Sequence, residues 1–254
     1  MAMIRGLVQL TLLEAIRVRL GWIIGISLVV SFGLAQFIDQ VALIESSQIQ
    51  AVILAAALRF SSAFIVMMFV VTSMVRESND KVTDLLLSMP VSRAAFLAGK
   101  LCGYFMVALM VGAAHCLPLV LFAPGPGLAI WSFSLLLELA IVAAISLFCV
   151  LSLTQTVSAI AASAGLYLLA RSMGTIKIIA GASLAHTPTF GDRAINFIVD
   201  GIALLLPDLD RMSQSGWLVD PPSFQVIGGI AGQAAIYIAL LGAASLFDLY
   251  RKNL

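Results

Sequence analysis

The sequence predicts an all-α integral membrane protein with six transmembrane helices. Two observations carry this reading. Of 254 residues, 61% are hydrophobic and only 11% charged, with a mean hydropathy of +1.09; a soluble domain carries about 25% charged residues. The apolar residues also gather into runs of the length a helix needs to cross the bilayer, about 20 residues for roughly 30 Å of hydrocarbon. A net charge of +1 gives no electrostatic basis for binding nucleic acid or an acidic substrate.

Residues 1–20 carry apolar side chains at Ile4, Leu7, Val8, Leu12, Leu13 and Ile16, interleaved with Arg5, Gln9, Glu14, Arg17 and Arg19. This predicts an amphipathic helix lying in the membrane interface. The same charges interrupt the uncharged core that a cleavable signal would need. Six spans follow, at approximately 22–38, 58–75, 101–123, 129–153, 155–171 and 226–247. Pro124-Gly125-Pro126-Gly127 makes a tight turn between the third and fourth. Residues 172–225 hold two apolar stretches, about 176–186 and 194–206, too short to cross. A re-entrant helical hairpin before the last span is expected there, with a small external subdomain as the alternative. Ile202, Leu205, Pro207, Asp208 and Asp210 are its candidate gate residues. The whole chain, 1–254, reads as a single transmembrane domain.

Nine of the fourteen Lys and Arg residues (Arg5, Arg17, Arg19, Arg76, Lys81, Arg93, Lys100, Arg251 and Lys252) fall on one side of this topology. The positive-inside rule makes that side cytoplasmic, with both termini and residues 76–100 on it. Arg59, at the edge of the second span, is expected to snorkel to the headgroups. Cys102, Cys116 and Cys149 lie in apolar runs at unrelated spacings, as buried thiols do, and form neither a disulfide framework nor a metal motif. Within the spans, His115 and Glu138 lie at similar depth on adjacent helices, counted from the turn at Gly125. Ionisable residues there are functional candidates by default, although fixing helix packing is the plainer role. Small residues at Gly228, Gly229, Gly232, Ala235 and Ala239, and at Ser158, Ala161, Ala162 and Gly165, could let helices approach closely.

The segment 76–100 is too patterned for a plain connector. Arg76-Glu77-Ser78-Asn79-Asp80-Lys81 leads to Asp84-Leu85-Leu86-Leu87-Ser88-Met89-Pro90-Val91-Ser92-Arg93, closing at Gly99-Lys100. Leu85, Leu86 and Met89 can pack on a partner, with Glu77, Asp84 and Arg93 setting register through rim charges and Arg76 a further candidate coupling residue. Pro90 fixes a bend by locking φ and removing a donor. A solvated loop is the bland alternative.

This run, following the second of six spans, resembles the membrane subunit of type-2 ABC exporters. That family includes polysaccharide, drug and copper-enzyme-maturation permeases. The resemblance implies that residues 76–100 form a cytoplasmic coupling helix seated on a separate ABC ATPase. It also implies a second permease copy, identical or a sister chain. A periplasmic or membrane accessory protein is a further partner class. The expected location is the cell inner membrane. No Gly-x-x-x-x-Gly-Lys-Ser/Thr is present, since Leu101 follows Gly99-Lys100. The chain is therefore expected to be no enzyme, with no cofactor or metal of its own and with ATP and Mg on the partner ATPase. Two rivals have other mechanisms. One is an ATPase-coupled scaffold acting mechanically on a periplasmic partner; the other is a secondary transporter relaying protons through His115 and Glu138.

Overall fold

The computed structural model describes residues 2–41, 46–81, 92–122, 125–153, 155–182, 190–218, 220 and 222–251. Among these, every regular element is helical. Helix α1 spans Ala2–Arg17, α2 Leu20–Val41, α3 Ser46–Asn79, α4 Arg93–Phe122, α5 Pro126–Ser152 and α6 Thr156–Ala182. Helix α7 spans Phe190–Leu205 and the short α8 Leu209–Met212; a 3₁₀ turn at Ser215–Leu218 precedes α9, Phe224–Arg251. Six helices (α2 to α6, and α9) are long and apolar enough to cross a membrane.

The bundle is built around α5, which packs against α3, α4, α6 and α9. Its span is 78% buried within the chain, against 17% for α2 and 11% for α9. The two peripheral helices therefore turn most of their apolar surface outward, as lipid-facing helices do. The N-terminal helix α1 lies on α4, where glycines let it come close. A Cβ on Gly99 would sit 2.6 Å from Leu7 Cδ1, and one on Gly103 would sit 2.7 Å from Thr11 Oγ1. Leu7, Thr11 and Ala15 are buried on this face, while Leu10, Leu13 and Ile16 remain exposed on another.

Both ends of α1-to-α9 chain travel meet at one end of the bundle. Arg93, opening α4, donates to the carbonyls of Leu249 (2.7 Å) and Tyr250 (3.1 Å) in the last turn of α9. A guanidinium there satisfies carbonyls that a helix end leaves orphaned and complements the negative end of the dipole. The opposite end, called the far end below, carries α7, α8 and the 3₁₀ turn.

Two expectations change here. The stretch near 176 is the continuation of α6, which runs on to Ala182, so only the second stretch forms a separate helix, α7. The small-residue seams at Gly165, Gly228, Gly229 and Gly232 hold no neighbour: a Cβ at any of them would meet nothing within 4 Å. Among the described residues, the glycines that do permit close packing are Gly99, Gly103, Gly112, Gly127 and Gly174.

Candidate functional site

Two polar assemblies stand out in an otherwise apolar bundle. The first lies at its centre. Glu138 of α5 is 12 residues from Pro126, about 18 Å along the helix, and is fully buried. Its Oε2 accepts from Arg59 Nη1 on α3 at 2.6 Å. Its Oε1 accepts from Tyr167 Oη and from Arg171 Nη1 on α6, both at 3.0 Å. Arg171 also donates to the Tyr167 hydroxyl. One carboxylate thus joins three helices.

Arg59 is as buried as its partner. It also donates to Ser134 Oγ (2.9 Å), the Trp131 carbonyl (3.4 Å) and the Met212 carbonyl (3.3 Å). Its guanidinium carbon lies 4.7 Å from the Trp131 ring centroid, a cation–π distance. The snorkelling expected of Arg59 is not what the structure shows: it turns inward to an ion pair. Nor do His115 and Glu138 pair with each other. His115 Nδ1 lies 2.8 Å from the Val111 carbonyl, which can only accept, so this nitrogen carries the proton. Nε2 faces the Ser27 hydroxyl at 3.2 Å, which ties α4 to α2. A two-residue proton relay has no direct bond here.

The Met212 carbonyl belongs to the cap at the far end. There Asp208 caps α8, its Oδ1 accepting from the Arg211 amide at 3.4 Å. Pro207, Leu209, Met212 and Trp217 are buried. Asp210 lies directly on Gly174 of α6, and the 3₁₀ turn lies on Gly127 of α5, where a Cβ would stand 2.8 Å from the Leu218 carbonyl oxygen. Tyr237 of α9 donates to the Leu206 carbonyl at 2.7 Å, satisfying a group at the end of α7. Ile202 and Leu205, by contrast, are 37% and 79% exposed. The cap is therefore anchored through 207–218, and α7 turns an apolar face outward. Gly174→Leu should consequently detach the cap from α6. A limited-proteolysis assay should show faster cleavage between Pro207 and Ser223 in this variant, with Gly165→Leu, where space is open, unaffected.

The second assembly joins α1, α3 and α4 at the termini end. Glu77, in the last turn of α3, pairs with Lys100 of α4; their side chains are 13% and 2% exposed. Glu14 of α1 accepts from Ser73 Oγ at 2.5 Å and lies 3.9 Å from Arg76. Tyr104 reaches Ser73 at 3.5 Å. Of the proposed coupling residues, Glu77 faces inward and Arg93 is tied to the end of α9, while Arg76 stays exposed beside Glu14. Asp84, Leu85, Leu86, Met89 and Pro90 lie outside the described residues. Lys100, Glu14 and Arg171 were missed as site residues. Lys100 closes the sequence motif, and its spacing from Glu77 across the loop was the available signal.

No group of three or more metal-binding side chains occurs among the described residues. The chemistry on view is that of helix bracing and of attachment between elements. The molecule is a multi-pass membrane protein, and its polar residues hold spans together. A family model for ABC-2 family transporter proteins matches residues 35–198, more than half of the chain. The chain belongs to that family and is the transmembrane subunit of an ABC transporter, a class that works with an ABC ATPase. No curated protein matches the sequence at a significant level.

Proposed function

We propose that this subunit couples ATP hydrolysis on a separate ATPase chain, which holds the ATP and Mg, to export across the cell inner membrane. Residues 76–100 make the ATPase contact. The observation that carries this reading is the clamping of both flanks of that segment. Glu77–Lys100 ties the end of α3 to α4, and Arg93 ties the start of α4 to the end of α9. A push on the segment would therefore reach three spans at once, as a rigid-body transmission requires. Two permease copies serve an ATPase pair, with the path between them and the sparsely buried α2 and α9 available for pairing. The termini lie in the cytoplasm. The cap at 207–218 closes the far end, and α7, with its apolar side exposed, dips into the membrane beside it as a re-entrant arm.

Leu86→Asp tests the contact. It should leave membrane insertion and thermal stability unchanged, while ATPase co-purification falls at least about tenfold, the loss of about 1.4 kcal/mol of interface energy. Undiminished co-purification together with full ATP hydrolysis would remove the coupling role. Impermeant thiol labelling of Gly191→Cys but not of Asn253→Cys in intact cells checks the orientation.

A further inference from the structure

A groove of about 820 Å³ runs along the junction of α1, α2 and α4, apart from both polar assemblies. That volume falls within the roughly 300–1,000 Å³ of ligand sites. Its lining is apolar, with Trp22, Gly25, Ile26, Val29 and Met110 among the residues, and it contains a single charged one, Arg19. Gly25 and Gly21 help to open it, since a Cβ on either would meet nothing within 4 Å. These glycines therefore do not serve contact with another helix of this chain.

The mouth of the groove is defined by Arg19, which has φ 57°, a left-handed conformation uncommon for a residue with a side chain. It is held there from both sides. The Arg19 amide donates to the Ile16 carbonyl at 3.0 Å, and its carbonyl accepts from the Trp22 amide at 2.9 Å. This break separates α1 from α2 and leaves Arg19, with neighbouring Arg17, exposed, directly at the N-terminal edge of the apolar window Leu20–Phe37. From Arg19 to Val30, the deepest lining residue on α2, the distance is about 16 Å. That is half of the roughly 30 Å hydrocarbon core, or one leaflet.

A groove one leaflet deep, apolar along its length and cationic at its interfacial end, matches one kind of molecule. We propose that it binds an acyl chain of an anionic phospholipid from the leaflet at the termini end, with the lipid phosphate on Arg19. Arginine suits this role because its guanidinium donates to two phosphate oxygens at once. The site is independent of ATPase coupling and would exist whichever solute the complex moves.

Trp22 reports on the site. It is 73% exposed, whereas Trp131 and Trp217, the only other tryptophans, are buried. The full chain would be reconstituted in vesicles in which bromine-labelled phosphatidylglycerol or phosphatidylcholine replaces increasing fractions of unlabelled lipid. The Trp22 signal is isolated by subtracting the Trp22→Phe variant. Phosphatidylglycerol should quench it at about fivefold lower mole fraction, the ratio for one basic residue near a membrane surface. Arg19→Gln should abolish that preference. Arg5→Gln, an exposed charge on the same α1 but outside the groove, should preserve it. Gly25→Leu should fill the groove and equalise the two lipids without altering the melting temperature. Equal quenching by both lipids in the unmodified protein would overturn the proposal, as would equal effects of the Arg5 and Arg19 substitutions, which indicate diffuse attraction. If neither lipid quenches Trp22 and Gly25→Cys forms a disulfide between two chains, a second copy occupies the groove and the lipid site is refuted.

Discussion

Glu138→Ala should be the most damaging single substitution in the bundle. It removes the acceptor for Arg59 and Arg171 together and leaves the fully buried Arg59 guanidinium facing only neutral groups. Breaking a buried ion pair from one side costs about 3–5 kcal/mol, because the remaining charge has lost its compensation. Folded protein extracted from membranes should fall sharply, and the surviving fraction should melt well below the unmodified chain. Arg171→Gln should be milder, since that side chain is 22% exposed and Glu138 keeps Arg59. The decisive comparison is Arg59→Leu with Glu138→Leu, which removes both charges and should recover much of the loss seen in either single variant. Melting temperatures that fall additively would show that the two residues act separately.

The second large effect concerns Glu77 and Lys100. Because Glu77 faces inward, Glu77→Arg should act first on stability, by placing two cations in one mostly buried position, at about 3 kcal/mol. Exchanging the pair, Glu77→Lys with Lys100→Glu, should restore thermal stability to near the original value. If transport-linked ATP hydrolysis returns with it, the pair serves as a clamp, and its charges are not read by the ATPase. Recovery of melting temperature without recovery of hydrolysis would instead make Glu77 a contact residue. A single-site loss that the exchange fails to relieve would refute the clamp.

The class of protein and the number of spans were legible in the sequence, because hydropathy is a local signal. Depth was legible as well: His115 and Glu138 do lie within the bundle. Rotation about the helix axis was not. Axial counting cannot say that His115 turns toward Ser27 while Glu138 turns toward Arg59. Arg59 was misplaced for a related reason. A span drawn from residue 58 puts Arg59 at its edge, but the apolar run Ala51–Leu58 belongs to the same helix, which begins at Ser46. The arginine therefore sits well inside, and its partner lies on a helix whose position only tertiary packing decides. The anchoring of the cap through Gly127 and Gly174 was hidden in the same way: a glycine in a sequence does not reveal which neighbour it admits.

The central brace also sets an order of events during biosynthesis. Arg59 leaves the ribosome 79 residues ahead of Glu138, and at about 5–20 residues per second that separation amounts to roughly 4 to 16 seconds. For that interval, α3 must enter or wait beside the membrane with its guanidinium lacking the carboxylate that will later neutralise it. Arg171 arrives later still, on α6. The helix that supplies the acid is thus the one whose insertion turns a set of separately tolerated segments into a braced bundle, and its arrival ends the interval in which the Arg59 charge lacks its carboxylate.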